Sequence, residues 1–133
     1  MSLSDNDRQT VVRLQLEKAQ SDMTQIPLLQ QAGYWDTVAN RLYYALFHAV
    51  SALLINDGHG VGTHRGAVGA FGQFYVTTGD FSLQEGKLYS RLQSIRERSD
   101  YNCAYTATES DVAPLIVPVR ELIDKIRQRI LAS

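Results

Sequence analysis

The sequence predicts an all-α fold, an antiparallel up-and-down bundle of about five helices. Three observations carry that prediction. Apolar residues recur at spacings of three and four along most of the chain. Val and Ile do not alternate with polar residues over any long stretch, as a half-buried strand would require. The breaks between apolar stripes are short and rich in Gly, Thr and Asp, which suits tight links between neighbouring helices. At 133 residues, 44% hydrophobic and 20% charged, the chain suits one domain, 1–133, with a sizeable core.

The first helix is expected over about Ser4 to Gln31. Val12, Leu16, Ala19, Met23, Ile26 and Leu29 form its stripe. Ser4 or Asp5 can cap it, Pro27 should kink it, and Gly33 can stop it. The second, about Tyr34 to Asn56, is the most apolar and aromatic and so belongs at the centre. "NDGHGVG", Asn56 to Gly62, ends it with three glycines in seven residues. The third runs from about Thr63 to Thr77, with Val68, Phe71, Phe74 and Tyr75 inward and "TTGDFS" at its end. The fourth, about Leu83 to Tyr101, turns Leu88, Leu92 and Ile95 inward. The fifth spans about Ser110 to Leu131 with Leu115, Leu122, Ile126 and Ile130 as its stripe. Thr108 or Ser110 caps it, Asp111 suits its first turn, and Pro118 should bend it. The strongly amphipathic fifth helix and the aromatic second one are both candidates for a dimer face.

The bulk properties narrow the function. A net charge of -1 argues against a broad basic surface wrapped on duplex DNA, though not against a local basic cleft. The one cysteine, Cys103, forms no internal disulfide and no cysteine-based zinc site. A reducing, cytoplasmic compartment is expected. "MSLSDNDRQT" lacks the basic and apolar parts of a signal peptide. The apolar run "YYALFHAVSALLI" is shorter than the roughly 20 residues of a membrane span. His59 and His64 lack a third clustered ligand, so neither metal nor cofactor is expected. No Ser or Cys nucleophile has a base at a recognised spacing, and no carboxylate pair stands out.

Three places can carry chemistry. In "NRLYYALFHA", Arg41, Tyr44 and His48 share one helical face. The ordinary reading makes the aromatics core and His48 a hydrogen-bonded core histidine. Arg41, however, needs a partner if buried, and Asp100 on the fourth helix is the expected one. In "IRERSDYN", Arg91, Ser94 and Arg98 share a face, and Arg96 can pair with Asp100 across one turn. This stretch is either a charged helix end, with Tyr101 and Tyr105 packed beneath the fifth helix, or a polar cleft. The cleft would consist of Arg98, Asp100, Tyr101 and Asn102, holding a phosphate and stacking a base. In "THRGAVG", His64 and Arg65 sit at a helix start behind a glycine loop, where free N–H groups favour anions; His64 bonded to the loop backbone is the plainer alternative.

Taken together, "YWDTVANRLYYALFHAVSALLI", "THRGAVGAFGQFYV", "RLQSIRERSDYN" and the final amphipathic helix resemble a HEPN-domain protein of the small stand-alone prokaryotic type. The resemblance covers about Gly33 to Leu131. It implies an up-and-down helical bundle, usually a homodimer, and company with nucleotidyltransferases as in toxin–antitoxin pairs. In some members it implies a metal-independent endoribonuclease built on an Arg followed, a handful of residues later, by a His. Arg98 is the residue that matches. Ser99 to Ala104 follow it with no His, so a base would have to come from His48 or His64. Three readings result: a module binding RNA, a nucleotide or a partner nucleotidyltransferase with little catalysis; a ribonuclease using Arg98 with His48 or His64; and a structural interaction module.

Overall fold

A computed structural model describes residues 4–60 and 63–133; the side chains of His64 and Arg65 fall outside that description. The described residues form helices α1 (Asp5–Thr24), α2 (Ile26–Ala32), α3 (Trp35–Asn56), α4 (His64–Phe71), α5 (Leu83–Tyr101), α6 (Glu109–Val112) and α7 (Ile116–Leu131). A π-helical turn, Gly72–Val76, extends α4, and a 3-10 turn, Ala113–Leu115, joins α6 to α7. No strand occurs among the described residues. The fold is the all-α bundle that the apolar periodicity predicts.

Local chemistry sets the ends. The Ser4 hydroxyl accepts from the Asp7 N–H at 3.2 Å and caps α1. The first predicted helix divides at Gln25, with Pro27 in the opening turn of α2, where its missing N–H costs nothing. Gly33 closes α2 at φ +80°, a left-handed conformation that disfavours any side chain. Thr63 caps α4 through the Gly66 N–H at 2.9 Å. Ser82 and Glu85 form a reciprocal capping box at the start of α5. Thr108 caps α6. The last predicted helix is interrupted one turn before Pro118, whose ring and missing N–H leave the Pro114 carbonyl without its helical partner, and the chain tightens there to a 3-10 turn.

Contacts across the bundle fix its directions. Gln15 reaches His48 and Gln25 reaches Arg41, so α1 and α3 run antiparallel. Asp36 meets Ser99 at 3.4 Å, and Tyr44 meets Arg96 at 3.2 Å, so α3 and α5 do the same. Lys125 bonds Glu85 at 2.8 Å and Arg127 bonds Gln20 at 3.3 Å, setting α7 antiparallel to α5 and α1. The core centres on α3, from which Val38, Leu42, Tyr43, Leu46, Val50, Leu53 and Leu54 are buried. Its 22 residues are long and apolar enough to cross a membrane, but two-thirds of the apolar stretch is buried inside the bundle, as befits a core helix. The sequence run understated this helix by ending it at the polar residues near its start.

At the far end of α3, the Asp57 carboxylate accepts from the Tyr75 hydroxyl at 2.7 Å and pairs with Arg129 at 3.4 Å, tying the π-turn and α7 to the end of α3. Glu85 is a second tie. Burial alone would raise its pKa, but Lys125 and the Ser82 cap outweigh that and hold it below the usual value. A lowered folded pKa stabilises the fold above the unfolded value of about 4.3 and ceases to do so as pH falls through the folded one. The melting temperature of Glu85→Gln is therefore expected to lie below that of the wild type at pH 7, and the two should converge when melts are repeated in acid below the carboxylate range. Ser82→Ala should cost about 1 kcal/mol by loss of the cap.

Candidate functional site

The last two turns of α5 divide their charges between opposite faces. Arg96 and Arg98 are two residues apart, so about 200° separates them around the helix. Arg96 turns inward. Its guanidinium carbon lies 5.1 Å from the Tyr43 ring centre and 5.5 Å from that of Tyr44, and it donates to the Tyr44 hydroxyl at 3.2 Å. Its Nε is 3.4 Å from Asp100 Oδ2, an ion pair too poorly aligned to count as a hydrogen bond. Burial works against its charge, but Tyr44, Tyr43 and Asp100 more than compensate, so it is held protonated more firmly than an ordinary arginine. Tyr43, beside it, is pushed up to about 12 by burial, with Tyr44 and Glu97 adding and Arg96 opposing.

Asp36, Thr37, Asn40, Ser99 and Asp100 surround Arg96 in a cleft of about 340 Å³. Asp36 is already occupied: it accepts from the Ala107 N–H at 2.7 Å and from Ser99. This cleft therefore holds the start of α3 against the end of α5 and the turn beyond it.

Arg98 turns outward. Its guanidinium lies 5.8 Å from the Tyr105 ring centre, in a pocket of about 250 Å³ lined by Arg91, Ser94, Ile95, Tyr105 and Asp111. The shared face of Arg91, Ser94 and Arg98, legible in the spacing, is thus one wall of a pocket. Tyr105 as its floor and Asp111 as its opposite rim were not foreseen, because both come from beyond the turn that follows α5.

The expected pair of Arg41 with Asp100 does not form. Arg41 donates to Gln25 at 2.9 Å and to Asn40 at 2.9 Å, on the α1–α2 side of α3. It also faces Asp22, whose pKa burial raises while Arg41 and Lys18 oppose the shift. Five residues separate Arg41 from Asp36 on α3, and Asp100 takes Arg96 instead. The single cleft of Arg98, Asp100, Tyr101 and Asn102 is not assembled either. Asp100 belongs to the Arg96 side. Asn102 uses its side-chain oxygen to accept from the Ala104 N–H at 3.0 Å, shaping the turn. Tyr101 is 80% exposed and does not pack beneath α7. Tyr44 is the partner of Arg96. His48 Nδ1 is 2.7 Å from Gln15 Oε1, which fits a hydrogen-bonded histidine at the α1–α3 seam. His59 stacks on Phe74 with centres 3.9 Å apart. His64 as an anion or base candidate lies outside the described side chains. No group of three His, Cys, Asp or Glu among the described residues is arranged to hold a metal.

Residues 12–129 match the HEPN domain. The chain belongs to the HEPN family. A HEPN relative at 30% identity, covering 94% of this chain and 95% of its own, is the UPF0332 protein of Thermotoga maritima. Two proteins of Methanocaldococcus jannaschii, each named "Putative toxin", are 26% and 19% identical over 96% and 89% of this chain. The HEPN match spans both α5 arginines and their aromatic partners on α3 and after α5.

The two arginines should separate by experiment. A double-mutant cycle between Arg41 and Asp100 is expected to show no coupling in urea unfolding, whereas Arg96 and Asp100 should couple by about 0.3–0.5 kcal/mol, the range of a helical ion pair with one exposed partner. Arg96→Ala should cost about 2 kcal/mol, because it leaves two tyrosine faces and the Tyr44 hydroxyl uncovered. Arg98→Ala should leave the unfolding midpoint within about 0.5 kcal/mol of wild type.

Proposed function

We propose that this HEPN chain is the cytoplasmic effector half of a toxin–antitoxin-like pair, which binds RNA or a nucleotide at the Arg98 pocket with little or no turnover and is countered by a partner such as a nucleotidyltransferase. One observation carries the reading: of two neighbouring arginines, Arg96 is bound up within the bundle, while Arg98 stands exposed over an aromatic ring beside Arg91. A guanidinium matches a phosphate bidentately, and its contact with Tyr105 orients it before a ligand arrives. Arg91 and Arg98 are seven residues apart, about 10 Å along the axis, a span that successive phosphates of a single strand can bridge. Asp111 on the opposite rim can accept a hydrogen bond from a ribose hydroxyl or a base edge. The relatives named as toxins support an effector role, and the HEPN match supports the RNA side of it.

Low turnover follows from what surrounds Arg98. Phosphodiester cleavage without a metal needs a group that moves a proton near neutrality. No imidazole lines the Arg98 pocket among the described residues. His48 faces Gln15 on another seam, and His59 is stacked at the other end of α3. Charge stabilisation by Arg98 would survive, but it favours binding more than chemistry.

The experiment uses a fluorescent single-stranded RNA with wild type, Arg98→Ala, His48→Ala and His64→Ala, all in chelator. Anisotropy should show wild-type binding that weakens with salt and falls about tenfold or more in Arg98→Ala. Gels from the same samples should show little cleavage. Robust wild-type cleavage that disappears in Arg98→Ala and in either histidine variant would replace this reading with a ribonuclease. Absence of binding by the wild type would leave a protein-interaction module.

A further inference from the structure

The Arg98 pocket does not end at Arg91. That side chain also lines the largest described groove, about 620 Å³ between α5 and α7, so the two cavities meet at one guanidinium. Gln84 and Lys87 line the α5 side of the groove, and Ser94 and Arg98 line the α5 side of the pocket. With Arg91 they recur at spacings of three, four, three and four, which makes a single row along α5. All five are exposed. The acids of the helix beyond Gln84, namely Glu85, Glu97 and Asp100, fall off this row. Lys87, Arg91 and Arg98 form no salt bridge among the described residues. Glu85, which also lines the groove, is held by Lys125 at 2.8 Å. The opposite wall carries the opposite sign. Asp111 stands across the pocket, and Glu121, exposed and without a salt bridge among the described residues, stands across the groove.

We infer that the pocket and the groove are one track for a single RNA strand several nucleotides long, with its phosphates on Lys87, Arg91 and Arg98 and its bases turned toward α7. The track rests on the reading that Arg98 binds RNA, and it favours a strand over a mononucleotide there. Along the axis Lys87 and Arg91 are about 6 Å apart and Arg91 and Arg98 about 10 Å, so one nucleotide cannot reach all three. A backbone laid along the far wall would meet Asp111 and Glu121. Laid along α5 it meets cations alone, and the two carboxylates are left to accept from N–H groups on the base edges. Leu88, Leu122 and Pro118 give the bases an apolar bed but no ring to stack on. Binding along the groove is therefore chiefly electrostatic and tolerant of sequence. A duplex would bring its second backbone against the acidic wall.

Anisotropy with a fluorescent uridine dodecamer and a uridine dinucleotide, both in chelator, is the measurement, with circular dichroism to confirm that each variant is folded. The wild type should bind the dodecamer about tenfold or more tighter than the dinucleotide. Lys87→Gln should weaken the dodecamer about fourfold at roughly 0.15 M salt and lower the magnitude of its log–log salt slope by about 0.7, the value of one phosphate contact on a single strand. It should leave the dinucleotide unchanged. Lys18→Gln, which removes an exposed charge from α1, should change neither probe. Arg98→Ala should weaken both. Wild-type affinity of Lys87→Gln for the dodecamer, beside a loss in Arg98→Ala, would overturn the track and leave the pocket standing. Equal losses in Lys87→Gln and Lys18→Gln would overturn it too, as a diffuse effect of net charge. Dodecamer binding indifferent to Arg98→Ala would overturn the functional reading and the track with it.

Discussion

A helix that is apolar around most of its circumference must be covered around most of its circumference, and α3 is such a helix. From Val38 to Leu54 it buries twelve residues, Ser51 among them. Fully burying each large apolar side chain contributes about 1.5–3 kcal/mol, so α3 dominates the favourable side of folding. Everything else is arranged to enclose it. The helix α1 lies along one side, α5 and α7 along others, and α4 with its π-turn crosses the gap between α3 and α5. The polar groups near its ends then serve as fasteners. Asp36 holds the turn after α5 at one end, and Asp57 holds Tyr75 and Arg129 at the other.

That constraint explains why two arginines two residues apart acquire different work. The inward face of α5 must seal against Tyr43 and Tyr44, which project from α3. A guanidinium can do so because its flat face stacks on rings while its edge donates to a phenol. Arg96 is therefore part of the enclosure of α3, with Asp100 as a half-exposed counter-charge. Arg98, half a turn further round, has no such duty. Its neighbours Arg91, Ser94 and Tyr105 leave it presented to solvent.

The helices were legible in the sequence because periodicity and punctuation agreed. Ser4, Gly33 and Thr108 each act at the ends where their chemistry placed them, and Pro27 and Pro118 mark where the long helices are interrupted. The shared face of Arg91 and Arg98 was equally legible, since spacing within one helix fixes it. What spacing cannot fix is which helix lies opposite. Arg41 seemed to need Asp100 because an arginine on an apolar helix needs a partner and Asp36, five residues back, is poorly spaced on its own helix. The partner it finds, Gln25, is neutral, and it sits at a helix break whose position in space depends on how α2 turns. Tyr105 and Asp111 reach the Arg98 pocket through an irregular turn, and nothing in their local pattern announces it.

The absence of a histidine after Arg98 acquires a physical meaning from the path of that turn. From Asn102 the chain does not continue outward as helix. It folds back under the Asn102 side chain, returns Tyr105 beneath the guanidinium, and hands the Ala107 N–H to Asp36. Tyr105 thus stands beside Arg98 as one wall of its pocket, with the ring centre 5.8 Å from the guanidinium. If the pocket takes a phosphate as proposed, an aromatic ring there holds the arginine in place for it. On the proposed reading, the described residues beside Arg98 are suited to holding a phosphate.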